Sequence, residues 1–192
     1  MNRQSLVTKA ARKFKVTTNS NHKLPVAPSV LEQNFDADKP NQKWVDDITY
    51  LYTTEGWLYV AMIIDLHSRA VIVWTMNTHM TADLVCDALQ MALWRRGFPK
   101  DVIVHSDQVS QYCSRVYRKI IDANQLQQSM SRKGSCWDNA CVESFFHSLK
   151  VEAIQYDPLM NRTEVREAVF EYIEIGYNRK RRHSALGYLS PE

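Results

Sequence analysis

A short apolar run is followed by a lone carboxylate in the stretch Val102-Ile103-Val104-His105-Ser106-Asp107. The other candidate residues are located by their distance in sequence from Asp107. A charge that follows a buried strand lies at the carboxyl edge of a sheet, where open α/β folds build their sites. Asp47 lies sixty positions upstream in another strand-like run, and Glu143 lies thirty-six positions downstream in a helix-like run. Three acids on three different elements predict one metal site.

Strand-like runs also precede this stretch, and short turns join them. β-Branched and aromatic residues predict strands over residues 43–51, 57–65 and 70–76, which together form an antiparallel meander. The later elements, in order, are a helix between Thr81 and Gly97, a strand over 102–105, a helix over 114–124, a short strand over 126–130, a helix around 142–153 and a last helix over 163–177. A meander followed by helix-linked strands predicts an α/β fold with a mixed sheet and helices on both faces.

Basic residues cluster at the two ends of the chain. Residues 1–24 hold six Lys/Arg and no acid, and residues 179–182 are all basic, whereas acids outnumber bases in between. Such arms are typical of proteins that bind a polyanion, although short basic runs are about equally often solvated tails. No apolar run approaches the roughly 20 residues of a membrane span, so we expect a cytoplasmic protein. The four cysteines form no C-x-x-C pair and are expected to be free thiols.

Either of two adjacent acids, Asp46 or Asp47, could be the first acid of the site. Alternate residues of a strand face opposite sides, so only one of them points at the site, and the pattern does not say which. On the later helix, Glu143 shares a polar stripe with His147 and Lys150 at i+4 and i+7. Clustered carboxylates require either a cation or raised pKa values, and oxygen-only ligands favour Mg²⁺ or Mn²⁺.

Blocks of residues along the chain resemble a known family. They are residues 44–50 (WVDDITY), 64–69 (IDLHSR), 105–112 (HSDQVSQY), 134–146 (GSCWDNACVESFF), and 177–179 with 182–188 (YNR and RHSALGY). In this order they are similar to the integrase-type catalytic core of bacterial insertion-sequence transposases. The 35 residues between Asp107 and Glu143 match the interval that names the aspartate-aspartate-(35)-glutamate, or DDE, superfamily.

The resemblance implies a ribonuclease-H-like, five-stranded fold and assigns catalysis and metal binding to Asp47, Asp107 and Glu143, in favour of Asp47 over Asp46. It also implies Mg²⁺ or Mn²⁺, as two ions, and DNA as the partner. The residues expected to contact DNA are Lys150, His147, Arg179, Lys180, Arg181 and Arg182. We divide the chain into a basic extended arm (1–40), an integrase-type catalytic core (41–160) and a C-terminal helix with a basic tail (161–192). Asp65, although it belongs to one of the blocks, is interpreted as a strand-end or turn residue.

The expected function is metal-dependent cleavage of DNA at an element's ends followed by strand transfer into target DNA, by a homo-oligomer associated with the bacterial nucleoid. A ribonuclease-H-like nuclease that only cuts would share the same site. A catalytically impaired, DNA-binding remnant is the other alternative, because Val109 stands where similar transposases have glycine and tolerates positive φ poorly. No helix-turn-helix pattern precedes residue 40, so we expect a catalytic fragment, or reliance on an upstream partner or fused product.

Overall fold

The computed structural model describes residues 22–132, 139–154 and 158–192. Five strands and four α-helices follow one another in the predicted order. They are β1 (Lys43–Thr53), β2 (Gly56–Asp65), β3 (Val71–Asn77), α1 (Ala82–Arg96), β4 (Ile103–Ser106), α2 (Arg115–Ala123), β5 (Gln127–Met130), α3 (Ala140–Glu152) and α4 (Arg162–Phe170). A π-helical segment (Glu171–Tyr177) continues α4, and a 3₁₀ turn covers Ser184–Leu186.

The strands form one mixed sheet in the order β3-β2-β1-β4-β5. β1, β2 and β3 pair antiparallel, as the meander predicts, whereas β4 pairs parallel with the other edge of β1 and β5 pairs parallel with β4. In the parallel pair, Val45 lies opposite His105. Asp47 and Asp107 each follow their paired residue by two positions, so the register brings both acids to the same region of the sheet edge.

Apolar clusters cover the two faces of the sheet. Trp44 of β1 packs with α1 and α2 on one face, and the next residue, Val45, packs with α3 and α4 on the other face. Ile63 and Ile64 of β2 divide between the clusters in the same way, because successive strand residues face opposite sides. The α/β class and the helices on both faces are confirmed.

Several element ends are fixed by local chemistry visible in the sequence. Gly97 ends α1 in the left-handed conformation, with φ 69°. The Ser114 side chain caps α2 by accepting from the Tyr117 amide, and Asn161 forms a reciprocal capping box with Glu164 at α4. These contacts satisfy backbone groups that helix termini leave without partners. None of the described helices has the length and apolar character needed to cross a membrane.

The last helix differs from its prediction as one α-helix over 163–177. It is α-helical to Phe170 and π-helical from Glu171, and the Asn178 amide donates to the Ile173 carbonyl. Its buried residues, Val165, Val169, Ile173 and Tyr177, recur every fourth position. An α-helix turns such residues by about 40° at each step, so the wider π-helical turn keeps the last two on the packed face.

The C-terminal residues of this helix share the apolar cluster of Val45 and Met62 on the sheet. The division of the chain at residues 40 and 160 stays a prediction. Cys86, Cys113 and Cys141 are free, as expected, and the predicted free thiol of Cys136 lies outside the described residues.

Candidate active site

Asp47 and Asp107 are half-buried acids on neighbouring elements of the sheet. The Asp47 carboxylate accepts from the amide of Ile48 at 2.7 Å, and the Asp107 carboxylate accepts from the amide of Val109 at 3.2 Å. These bonds fix the two side chains locally. Asp47 is on β1 and Asp107 follows β4, the strand that pairs parallel with it.

Burial and neighbouring negative charges raise the pKa values of the acids at the site. Burial raises the pKa of Asp47 well above its ordinary value; the charge of Asp107 adds to this, and Asp46 and Glu143 add smaller contributions. Burial likewise raises the pKa of Asp107 to about 6, against the opposing hydrogen bond from Val109. Glu143 lies in the first turn of α3, where partial desolvation raises its pKa. Among the described residues no ion pair includes any of these three acids, and Lys150 is a cation whose charge interacts with Asp47. One such charge leaves part of the repulsion among the three carboxylates for another cation to relieve.

The three acids do not form a ready metal cage. Within residues 22–132, 139–154 and 158–192, no three His, Cys, Asp or Glu side chains lie close enough to hold one ion together. Glu143 is exposed, and residues 133–138, which lead into its helix, are outside the described part of the chain. Asp107 and Glu143 are therefore within electrostatic range of Asp47, but the three acids do not form one ready ion site.

Asp46, the neighbour of Asp47, lies on the opposite side of β1 and is fully buried. Its two carboxyl oxygens accept from the hydroxyls of Tyr112 and Tyr117, each at 2.8 Å. Burial is the main reason that the pKa of Asp46 rises to about 8, because both tyrosine bonds act in the other direction. The adjacent acids thus have separate surroundings: Asp46 ties β1 to α2 and to the segment before it, and Asp47 faces α3. Nothing in the spacing of Tyr112 and Tyr117 predicted this cluster.

The buried Asp46 makes stability depend on pH in a specific direction. Its pKa rises from 3.8 to about 8 on folding, so the native state retains a proton that the unfolded chain releases in that interval. The free energy of unfolding should therefore fall with rising pH between these values, by at most about 1.4 kcal/mol per pH unit for this group. Asp46→Asn keeps the shape and has no proton to lose. Urea unfolding in EDTA should show that the free energy of unfolding of the variant rises relative to that of the wild type as pH rises.

Exposed Asp87 on α1 supplies the matched control, because Asp87→Asn removes the same charge without a buried site. Its difference from the wild type should stay nearly constant over the pH interval. A constant difference for Asp46→Asn as well would show that Asp46 is ionised in the folded protein.

Lys150 lies on the same helix as Glu143 and close to the aspartates. Its ammonium is 4.9 Å from the centroid of the Tyr50 ring, a cation–π arrangement. Burial lowers the pKa of Lys150, and the charge of Asp47 partly offsets this. His147, one turn earlier, is exposed. The polar stripe predicted for this helix thus runs along the edge of the site.

The basic run at 179–182 is divided between protein contacts and solvent. Arg179 pairs with Glu192 at 3.3 Å, and Arg181 pairs with Glu152. Lys180 and Arg182 are exposed, and no ion pair of the described residues includes either of them. Two of the four predicted DNA contacts in this run, of six in the chain, are thus already paired with acids of this chain.

Asp65 has the structural role expected of it. It ends β2, is fully buried, and accepts from the amides of His67 and Asn41, each at 2.9 Å. These bonds hold the turn after β2 against the segment before β1.

Val109 does not have the positive φ that a β-branched residue tolerates poorly. The side chain is 2% exposed and packs in the apolar cluster of Trp44. Its amide donates to Asp107, and its carbonyl accepts from the amides of Tyr112 and Cys113. The condition under which Val109 would displace Asp107, a turn that needs positive φ, is therefore not met, and the Val109 amide helps to hold the acid.

Val109→Gly should consequently lower stability and bring no gain in strand transfer. Losing a buried isopropyl group and adding backbone freedom should cost roughly 2–4 kcal/mol. The measurements are urea unfolding and metal-dependent joining of a labelled DNA end. Val26→Gly, at a half-exposed coil position, is the control and should change neither. Faster joining by Val109→Gly would revive the impaired-copy alternative.

These features define a class of fold: a mixed sheet of order β3-β2-β1-β4-β5, with two acids beside the parallel pair of β1 and β4, is ribonuclease-H-like. Two solved structures share the fold. A chain of the simian T-cell lymphotropic virus intasome in complex with the PP2A regulatory subunit B56 gamma has a TM-score of 0.67 and 16% identity, over 91% of this chain and 59% of that chain. The HTLV-2 integrase catalytic core domain in complex with magnesium (trimeric form) has a TM-score of 0.60 and 15% identity, over 80% and 96%. At these identities the likeness establishes the fold alone.

Sequence comparison supplies the family. One model described as integrase core domain matches residues 37–136, and a second matches residues 124–191. Transposase InsF for insertion sequence IS3A of Escherichia coli (strain K12) is 58% identical over 192 residues, which are 100% of this chain and 67% of that protein. The chain belongs to the integrase-core transposases of bacterial insertion sequences, which confirms the resemblance of the five blocks. It is a transposase catalytic core of the DDE polynucleotidyl transferase type and spans about two thirds of the length of these relatives.

Proposed function

We propose that this chain uses Asp47, Asp107 and Glu143 to cut DNA at the ends of an insertion element and to join the freed 3′-hydroxyl to target DNA. The register of β1 and β4 carries the proposal: Val45 lies opposite His105, and an acid follows each by two residues. The charge of Asp107, which raises the pKa of Asp47, supports it, and Glu143 contributes to the same effect.

The donor set fits a hard divalent cation. All three side chains offer oxygen alone, which Mg²⁺ and Mn²⁺ prefer, and no ion pair of the described residues includes any of them. Asp47, Asp107 and Glu143 would hold Mg²⁺ or Mn²⁺, as a pair of ions. Bound there, the metal would supply charge neutralisation and Lewis acidity for in-line attack on a phosphodiester.

The chain's own residues orient the acids and the DNA. The amides of Ile48 and Val109 hold the carboxylates of Asp47 and Asp107, so two of the three ligands need little reorganisation. Lys150 brings a positive charge beside Asp47 that suits a phosphate of the strand being cut. Glu143 is exposed and does not form one ready ion site with the two aspartates. It would complete the metal site when DNA is held against α3.

DNA and further copies of this chain are the proposed partners. The solved neighbours include an intasome and dimeric and trimeric integrase cores, which supports an oligomer that holds two element ends together. His147, Lys150, Lys180 and Arg182 are the candidate phosphate contacts that remain unpaired with acids among the described residues. A helix-turn-helix partner or fused upstream segment, a cytoplasmic location and association with the nucleoid remain predictions.

A strand-transfer assay with a labelled element end tests the function and separates it from its alternatives. In Mg²⁺ the wild type should convert the labelled end first to a cut strand and then to a product joined to target DNA, and EDTA should stop both steps. Cutting without joining would indicate a nuclease. DNA binding with neither step would indicate the remnant.

A further inference from the structure

A cavity of about 470 Å³ lies beside α3, on the side formed by the C-terminal segment. We call it the α3 pocket. Apolar and aromatic side chains, including Phe145 and Tyr177, line part of it. The polar lining includes Arg69, Arg181, Arg182, His183, Ser144 and Ser148.

The positive charge of the α3 pocket is only partly offset. Arg181 pairs with Glu152, but the ion pairs of residues 22–132, 139–154 and 158–192 include neither Arg69 nor Arg182. The Arg69 guanidinium donates to the Cys141 sulfur, a weak and uncharged acceptor. The cavity therefore holds two guanidinium groups that no carboxylate of the described chain neutralises.

His183 adds an unused hydrogen-bonding atom to this lining. Its Nε2 is buried and has no hydrogen-bond partner in the described part of the chain. The imidazole packs edge-on against Tyr177, with ring centroids 4.8 Å apart. Burial lowers the pKa of His183, and the charges of Arg181 and Arg69 lower it further, which is what a site with excess positive potential produces. Buried polar atoms are normally paired, and an oxyanion in the pocket would accept a hydrogen bond from Nε2 when that nitrogen carries the proton.

The α3 pocket also lies next to Glu143 of the proposed active site. Ser144 directly follows Glu143 on α3, and Ser148 follows one turn later, so one helix presents Glu143 and the pocket on adjoining faces. A single DNA strand that passes over the first turns of α3 can therefore reach both.

We propose that the α3 pocket binds one backbone phosphate of the DNA strand held at the active site. Arg69 and Arg182 supply the charge, and Ser144, Ser148 and the Nε2 of His183 supply further hydrogen bonds, a set that suits a tetrahedral oxyanion. This inference rests on the proposed function, because it takes its ligand from the same DNA.

The test compares two double variants of equal charge. Arg69→Gln/Arg182→Gln removes the unpaired guanidinium groups of the pocket, and Arg115→Gln/Arg166→Gln removes two exposed arginines outside it. DNA affinity is measured by fluorescence anisotropy at several salt concentrations. The pocket variant should bind about tenfold more weakly, and its slope of log K against log salt should fall by about 0.9, the value for one phosphate contact. The control variant should keep the wild-type slope.

A methylphosphonate scan locates the contact. One neutral linkage at a time is placed along the labelled strand, and a single position should weaken the wild type and leave the pocket variant unaffected. Equal slopes for the two double variants would overturn the inference, and so would a wild type with no sensitive position. Binding of inorganic phosphate without a sensitive DNA position would show that the pocket serves a free anion, which also overturns it.

Two further variants separate failure of the pocket inference from failure of the proposed function. If the double variant does not fold, Arg182→Gln alone is used, because that side chain is exposed and has no ion pair in the described chain. Glu143→Gln should keep the wild-type salt slope and lose cutting. Retained cutting by Glu143→Gln would refute the proposed function, whereas the pocket is judged by the slopes and the scan alone.

Discussion

Asp107→Asn should lower the rate of strand cutting by at least about a thousandfold, because it removes an acid of the proposed metal-binding group and keeps its size. Asparagine retains one oxygen but carries no charge, so it cannot offset a divalent cation beside Asp47 and Glu143. The assay is single-turnover cleavage of a labelled element end in Mg²⁺. Asp47→Asn and Glu143→Gln should give losses of the same order, and combining them should add little, since residues that act as a unit are not additive.

DNA binding should survive each of these substitutions. Removing a negative charge next to a phosphate strand leaves the affinity unchanged or raises it slightly, so cleavage and binding separate in the same preparation. Asp87→Asn on the exposed face of α1 is the matched control and should cut at the wild-type rate. If Asp107→Asn cuts as fast as the wild type, Asp107 is not part of the catalytic site.

Asn178→Leu should lower the free energy of unfolding by about 3–5 kcal/mol, the largest stability effect we expect from a single polar side chain here. The Asn178 amide accepts from the backbone amide of Val71 and donates to the Val71 carbonyl, each at 3.0 Å. Asn178 is 2% exposed, so leucine would leave both backbone groups of Val71 buried without these partners. Urea denaturation at constant pH measures the change.

Two related variants calibrate this result. Asn178→Asp keeps an acceptor for the Val71 amide but loses the donor, so its loss should be of similar size once the buried charge is included. Asn34→Leu, at an exposed position with one local bond to Asp36, should cost less than about 1 kcal/mol. A wild-type urea midpoint for Asn178→Leu would mean that water replaces the lost contacts.

Short-range patterns in the sequence were sufficient for most of the fold. Alternation along β1 and β2, the stop at Gly97 and the cap at Ser114 act within a few residues, so their elements could be predicted with small errors at the ends. The order of the elements then predicted the mixed sheet, and the resemblance of the family blocks implied its ribonuclease-H-like type. The π-helical end of the last helix was missed because it follows from packing on the sheet.

The parts of the site that escaped prediction depend on contacts between distant residues. Asp46 meets Tyr112 and Tyr117 across 66 and 71 positions, and Asn178 meets Val71 across 107. No local pattern announces such pairs. The sequence likewise left the φ of Val109 open, because the backbone conformation of its turn is set by the hydrogen bonds around it and not by residue type alone.

The parallel pairing of β1 with β4 joins segments that are synthesised at different times. The β1–β2–β3 meander can form as soon as it leaves the ribosome, but the other edge of β1 waits for residues some sixty positions later, roughly 3–12 seconds at ordinary translation rates. Glu143 comes later still. A chain whose synthesis aborts between β5 and α3 holds two aspartates and no third acid. On the proposed assignment of the three acids, interrupted translation therefore yields products without a complete site for cutting DNA.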